Sequence, residues 1–199
     1  PITNMQFQCF VDAPDRDKPE WWQDIPDKER KFREPYFPYA NHPRETVSWY
    51  QAVAFCRWLS AKLGAEIMLP HEYEWEVAAR YPDGRAYPWG NAFDKEKANT
   101  DEGGVGQTTA VGIYPTGKNP ALELYDLNGN VWEWCRNTYD PDDEGVDSSG
   151  ARRVLRGGSW YGYRPDARAA YRGVDHPNGR SNHVGCRVAV RRSPSHQDL

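Results

Sequence analysis

The sequence lacks several patterns that commonly identify a protein's chemistry. It has only four cysteines in 199 residues, and none of them forms a Cys-X-X-Cys pair. Since structural zinc sites are usually built from such pairs, zinc is not expected. No run of 18 apolar residues is present, so no membrane span is predicted. No signal peptide is recognisable either, and the compartment stays open, with the cytoplasm slightly favoured.

The positions of the cysteines do not indicate a reactive site. Cys56 falls on the apolar face of a predicted helix, where a free cysteine is normally buried as a small hydrophobic residue. Cys135 and Cys186 are far apart in the chain, and the sequence leaves open whether they form a disulfide.

Aromatic residues and turn formers are abundant. The nine Trp, twelve Tyr and six Phe make up 14% of the chain, enough to form a core although the hydrophobic share is only 38%. The 17 glycines and 16 prolines are spread throughout the sequence. This composition predicts an α+β fold with about three helices, short antiparallel strands and much irregular structure. We expect one domain over residues 1–199, with a disordered tail at 193–199.

Local signals predict the first two helices. Two capping boxes are indicated, by Thr3 with Gln6 and by Ser48 with Gln51. The first should start a helix over residues 4–13, and the second a helix that ends at Gly64.

A third helix is expected to start near His71 and to end at Tyr81, because Pro82 follows. Its Trp75 should face inward, and His71 is interpreted as a solvated residue at the helix start. The strand candidates are residues 110–114, 154–155 and 186–190.

The segment 124–135 has an unusual composition. Its twelve residues contain two Trp, two Asn, two acids and a Gly, without helical or strand periodicity. Asn, Asp and Gly favour turns, whereas Trp favours burial, so we expect an irregular but buried and rigid segment. Its backbone carbonyls would lack ladder partners, and a bound cation is one way to satisfy them. A turn held in the core by Trp, without a cation, is the alternative.

Six motifs in a fixed order resemble the formylglycine-generating enzyme (sulfatase-modifying factor) family, whose fold is a variant of the C-type lectin fold. The motifs span residues 47–59, 69–80, 87–90, 124–135, 153–160 and 185–188. The resemblance extends over residues 1–191 and implies the lectin-like fold. In the family a strand or two precedes the segment that resembles residues 1–4, so we expect those strands to be missing here. A signalling domain attached upstream is compatible with the family.

The resemblance also implies a structural calcium ion, bound through side-chain oxygens and intervening carbonyls. The positions that carry over are Asp126, Gly129, Val131 and Glu133 for one site, and Asn99 and Glu102 for a second. The loop after Asn99 is shorter than in the family, which weakens the second match. For Glu133 the alternative is a buried carboxylate that accepts backbone N–H bonds.

The resemblance does not extend to the catalytic residues. The family's oxidases use two cysteines between the Gly-Gly-Ser motif and the final Gly-Phe-Arg motif, where the thiolates bind copper(I). Residues 160–185 contain no cysteine, and Cys186 replaces the Phe of the final motif. Without a thiolate, neither copper nor this oxidation is expected. The alternative is an enzyme of the formylglycine-generating oxidase type, or of related oxidative chemistry, that uses unrecognised residues.

In place of the cysteines, this interval carries side chains typical of recognition surfaces, where Tyr supplies area and small polar groups supply adaptable bonds. We predict that it binds a protein or peptide ligand. The candidate residues are Tyr161, Tyr163, Arg164, Asp166, Tyr171, Asp175, His176, Asn178, Ser181, Asn182 and His183. The interval also resembles the variable region of proteins diversified by retroelements, which use this fold. A purely structural module is a further alternative.

Charge is unevenly distributed in a chain whose net charge is −4. Residues 151–192 hold ten Arg and no Lys. A basic segment can indicate nucleic-acid binding. Here, however, five of these arginines fall in or near family motifs, where Arg packs and bonds to carbonyls and carboxylates, so no nucleic-acid partner is predicted. The arginines interpreted in this way are Arg156, Arg168, Arg172, Arg180 and Arg187.

Overall fold

The computed structural model describes residues 1–140, 143–146 and 150–191; the tail predicted at 193–199 lies outside them. The α+β architecture with three helices is confirmed. The helices are α1 (Asn4–Val11), α2 (Trp49–Leu63) and α3 (Glu72–Arg80). The strands are β1 (Glu66–Met68), β2 (Trp132–Thr138), β3 (Arg153–Arg156), β4 (Gly173–Asp175), β5 (Val184–Gly185) and β6 (Ala189–Arg191). Short 3-10 turns lie at Pro19–Trp22, Asp27–Arg30 and Asp101–Gly103.

The helices begin where the capping signals predict. Both capping boxes form, and Gly64 ends α2 in the left-handed conformation with φ of 63°. Helix α1 ends two residues earlier than predicted. The interpretation of His71 as solvated was wrong: its side chain is only 8% exposed and caps α3 by accepting a hydrogen bond from the Tyr73 N–H.

The strands form two small sheets. The larger has the order β4-β3-β2-β5, in which β2 pairs antiparallel with β3 and parallel with β5. The smaller pairs β1 with β6. Residues 132–135 therefore form part of a regular strand, which corrects the expectation that all of 124–135 is irregular. The strand predicted at 110–114 does not form, because Gly112 turns the chain at a φ of 81°.

Aromatic side chains fill the main core, between α1, α2 and the proline-rich segment that joins them. Phe7 stacks on Phe55 with ring centroids 5.0 Å apart, and Phe10 stacks on Trp22 at 6.0 Å. A second, smaller core forms around Trp75 of α3, against the larger sheet. None of the helices in the described residues is long and apolar enough to cross a membrane.

Candidate functional site

The larger sheet carries a groove of about 380 Å³ on one face. All four strands contribute to it, including Trp132 from β2 and Leu155 from β3. Four of the predicted recognition residues also line it, namely Asp166, Tyr171, Asp175 and His183. The sheet therefore brings together side chains that are far apart in the chain, from Trp132 to Val184. We call this feature the Trp132 groove.

Its aromatic wall depends on a glycine in β4. The rings of Trp132 and Tyr171 lie 5.9 Å apart, inclined by 45°. A Cβ atom at Gly173 would come within 3.0 Å of the Trp132 ring and 3.2 Å of the Leu155 Cβ. The absence of a side chain at Gly173 is what allows Trp132 to lie across the end of the sheet.

Backbone bonds hold His183 against the sheet. Its carbonyl accepts a hydrogen bond from the Trp132 N–H at 2.8 Å, and its Nδ1 lies 3.1 Å from the Asn182 side-chain oxygen. Burial lowers the pKa of His183, and the nearby charge of Asp175 only partly offsets this effect. We therefore expect a neutral imidazole in the groove near pH 7.

Tyr161 extends the groove towards Trp160. The Tyr161 ring lies 6.2 Å from the His183 ring and 5.5 Å from the Trp160 ring. Trp160 is half-buried: it packs edge-on against Phe37, and its Nε1–H donates to the Asn182 carbonyl. Trp160 thus connects the groove to the loop before α2.

The remaining candidates do not join the groove. Arg164 lines a separate depression with Glu102, which accepts a hydrogen bond from its backbone N–H. Tyr163 is exposed and is not among the residues that line the Trp132 groove. Ser181 is half-buried, and its carbonyl accepts hydrogen bonds from the N–H groups of Thr46 and Val184. His176 and Asn178 are exposed in the loop after β4.

Several arginines of residues 151–192 are bound to acidic partners. Arg172 lines the groove but makes two hydrogen bonds to the Glu72 carboxylate, at 2.6 and 2.7 Å. The Arg156 side chain bonds to Glu76, and Arg180 bonds to Glu29. The interpretation of Arg168 as a packed residue was wrong, because it is exposed.

On the opposite face of the sheet, Glu133 lies in a buried ion pair. Arg187 donates to its two carboxylate oxygens at 2.6 and 2.9 Å, and the Trp75 Nε1–H donates at 2.6 Å. Burial alone would raise the pKa of Glu133, but the charge and hydrogen bonds of Arg187 hold it below its usual value. Arg187 also donates to the carbonyls of Tyr125 and Asp126.

The bend that contains Asp126 packs directly against Asn99. Asp126 has a φ of 51°, and its carboxylate accepts a hydrogen bond from the Gly112 N–H at 2.6 Å. Burial raises the pKa of Asp126. A Cβ atom at Gly129 would collide with the Asn99 carbonyl, and the Asn130 N–H bonds to that carbonyl at 2.8 Å.

These residues fit a bound cation only in part. The Asn99 side-chain oxygen is buried without a hydrogen-bond partner, so a cation could satisfy it. Glu133, by contrast, is already balanced by Arg187, and Glu102 bonds to Thr100 and to the Arg164 N–H. Within residues 1–140, 143–146 and 150–191, no group of three His, Cys, Asp or Glu side chains gathers as a metal site would require. Calcium binding stays a prediction.

The cysteines do not approach the Trp132 groove. Cys135 and Cys186 are buried free thiols, with no disulfide between them. Burial raises the pKa of Cys135 and raises the pKa of Cys186 to about 12. A thiol with such a pKa holds almost no thiolate at neutral pH.

Four of the ten residues that line the groove were predicted as recognition residues. Trp132 was assigned to the irregular segment, Leu155 was predicted only as part of a strand, and Val184 was not singled out. Their sequence signal was weak because only the pairing of β2 with β3 and β5 places them side by side.

Comparison with known proteins identifies the family. Residues 1–192 match the sulfatase-modifying factor enzyme 1-like domain. The serine/threonine-protein kinase Pkn1 of Chlamydia trachomatis serovar L2 is 35% identical over 207 residues, covering 95% of this chain and 32% of the kinase. The chain thus spans about a third of that protein. The inactive C-alpha-formylglycine-generating enzyme 2 of Mus musculus is 33% identical over 222 residues, covering 97% of this chain and 67% of that protein.

A solved structure supports the same assignment. Treponema denticola variable protein 1 superimposes with a TM-score of 0.72 at 26% identity, covering 96% of this chain and 82% of that chain. The α+β architecture is therefore the lectin-like fold that the motifs imply. The chain belongs to the formylglycine-generating enzyme (sulfatase-modifying factor) family.

Proposed function

We propose that this domain is a non-catalytic module that binds a protein or peptide ligand in the Trp132 groove. The observation that carries the proposal is the lining of that groove. It combines the aromatic rings of Trp132 and Tyr171 with polar groups that have hydrogen-bonding capacity to spare, as binding sites commonly do. No cysteine lines it.

The relatives support this proposal from two directions. The mouse protein at 33% identity is named as inactive, so loss of catalysis is compatible with the family fold. Treponema denticola variable protein 1, at 26% identity, is named as variable, which supports a receptor whose binding residues are diversified by a retroelement. Variation would then fall on exposed groove residues such as Tyr161 and Tyr171, while Trp132 and Gly173 would stay constant.

A display experiment tests the proposal. A random twelve-residue peptide library is selected on the purified wild-type domain, and the selected clones are measured on a groove variant, Tyr171→Ala with His183→Ala. Tyr73→Ala is the matched control, since Tyr73 is an exposed tyrosine on α3 outside the groove. We expect the clones to lose binding to the groove variant and to keep it on the control. Clones that bind all three proteins equally would overturn the groove as the binding site.

A mass-spectrometric assay tests the absence of catalysis. The domain is incubated with a cysteine-containing sulfatase peptide, with and without copper(I), and the peptide is analysed for formylglycine. We expect no conversion. Copper-dependent conversion that persists in the variant Cys135→Ser with Cys186→Ser would show that the domain is an oxidase with unrecognised residues.

A further inference from the structure

The Trp132 groove contains two aspartates without a positive partner. Asp166 and Asp175 both line it, and neither makes an ion pair with any residue of the described chain. The Asp175 carboxylate accepts one hydrogen bond, from the His176 N–H at 2.7 Å. Both side chains are half-exposed, so their carboxylates keep capacity to accept further hydrogen bonds from a ligand in the groove.

Arg172 is the one cationic side chain among the residues that line the groove, and it is already engaged. Arg172 forms its two-bond pair with Glu72, and its guanidinium lies 4.4 Å above the Tyr139 ring. Arg156 bonds to the Tyr171 carbonyl and to Glu76. Arg172 cannot turn to the groove aspartates without abandoning Glu72, so Asp166 and Asp175 have no cationic partner among the residues that line the groove.

The same groove offers faces on which a cation binds well. The Trp132 and Tyr171 rings form one wall, and Trp is the aromatic side chain that attracts cations most strongly. A guanidinium combines a flat face with a fork of N–H donors, so it can stack on a ring and bond to a carboxylate at once. An ammonium ion lacks the flat face and the fork.

On the basis of the binding function proposed above, we propose that the Trp132 groove takes an arginine side chain of the protein or peptide ligand. The guanidinium stacks on the Trp132 and Tyr171 rings. Its N–H groups donate to Asp166 and Asp175. The neutral His183 and the rim residue Tyr161 contact the neighbouring ligand residues.

Synthetic peptide arrays test this assignment. Two arrays share random flanks and differ only at the central position, which is arginine in one and citrulline in the other. Citrulline keeps the shape of arginine but has no charge. The arrays are probed with the wild-type domain, with Asp166→Asn combined with Asp175→Asn, and with the control Asp12→Asn. Asp12 is an exposed aspartate of the first helix's end, outside the groove and without an ion pair in the described chain.

We expect the wild type and the Asp12→Asn control to bind the arginine array at least ten-fold more strongly than the citrulline array. The double Asn variant should lose this difference while its melting temperature stays close to that of the wild type. Added salt should weaken binding of the arginine array more than that of the citrulline array. Equal binding of the two arrays by the wild type would overturn the arginine assignment.

The outcomes separate this assignment from the proposed function. If both arrays bind equally and both lose binding in the Tyr171→Ala, His183→Ala variant, the groove binds peptides but does not select arginine. If neither array binds in a way that depends on the groove, the peptide-binding function fails together with the assignment. If an arginine preference persists in the double Asn variant, the charge is recognised elsewhere and the assignment is wrong.

Discussion

Two neighbouring residues of β2, Trp132 and Glu133, face opposite sides of one sheet and meet very different surroundings. On the Glu133 side the carboxylate is matched: Arg187 and Trp75 donate to it, and Glu133 is closed to solvent. On the Trp132 side the groove is open and the aspartates are unpaired. Matched buried charges hold a fold together, whereas unmatched exposed ones are available to a ligand. The Trp132 side also holds the core residues Trp134 and Leu155, so the contrast is between the closed Glu133 ion pair and the open groove beside that core.

The largest expected effect comes from breaking the buried pair. Glu133→Gln leaves the Arg187 guanidinium buried without a counter-charge, and such a change costs about 3–5 kcal/mol of unfolding free energy. Denaturant unfolding measures it. Asp166→Asn on the groove side is the control and should change stability by less than about 0.5 kcal/mol. If the two substitutions lower the unfolding free energy equally, the buried Glu133 pair contributes no more to stability than the groove aspartate.

Acid unfolding sharpens the same test. The pKa of Glu133 is depressed in the folded protein, so its stabilisation is complete above the unfolded-state pKa of about 4.3 and is lost as the pH falls through the folded value. The Glu133→Gln variant should therefore lose less unfolding free energy than the wild type as the pH is lowered below 5. If the unfolding free energies of the two proteins fall with pH at the same rate, the ion pair with Arg187 does not lower the pKa of Glu133.

A tyrosine on the groove side should affect binding and not folding. Tyr171→Ala removes one aromatic wall of the groove. If Tyr171 is a hot spot, the substitution should weaken the binding of a selected peptide by about 1–4 kcal/mol. Because Tyr171 is 44% exposed, the melting temperature should change little. Tyr163→Ala, at an exposed tyrosine outside the groove, should leave binding unchanged. If the Tyr171→Ala variant unfolds, or if only Tyr163→Ala weakens binding, the recognition surface lies outside the Trp132 groove.

Melting experiments with calcium test whether the Glu133 side of the sheet binds a calcium ion in addition to the ion pair with Arg187. If the bend at Asp126 or the Asn99 oxygen binds calcium, a free concentration ten times the dissociation constant should add about 1.4 kcal/mol of stability. Thermal melts with calcium and with a chelator measure it. Asn99→Ala should abolish the response if the ion lies at Asn99, and Asp126→Asn should do so if it lies at the bend. Identical melting temperatures with calcium and with the chelator would show that neither site binds calcium.

The smallest expected effect is the titration of His183. Its pKa is lowered in the folded state, so the folded protein binds the proton less readily than the unfolded chain. Stability should therefore fall as the pH drops below about 6.5, the ordinary histidine value. His183→Gln should flatten the change in melting temperature between pH 7.5 and 5.5. His176→Gln, at an exposed histidine that does not line the groove, is the control.

Local signals explain why much of the fold was predictable. Capping boxes and the glycine after α2 act over three or four residues, so the sequence alone locates those helix ends. The motifs likewise predicted the family and the lectin-like architecture. The predicted strand at 110–114 failed because a bond from the Gly112 N–H to Asp126, distant in the chain, fixes a turn there.

The sequence by itself determined the fold class, the helix starts and the lack of cysteine in residues 160–185. Only the tertiary structure decided which residues form the groove, because the register sets Val184 of β5 opposite Trp132 and Leu155 of β3 opposite Trp134. It also decided that Arg172 pairs with Glu72 while Asp166 and Asp175 stay unpaired. Charge pairing depends on contacts across the fold, and composition along the chain does not encode them.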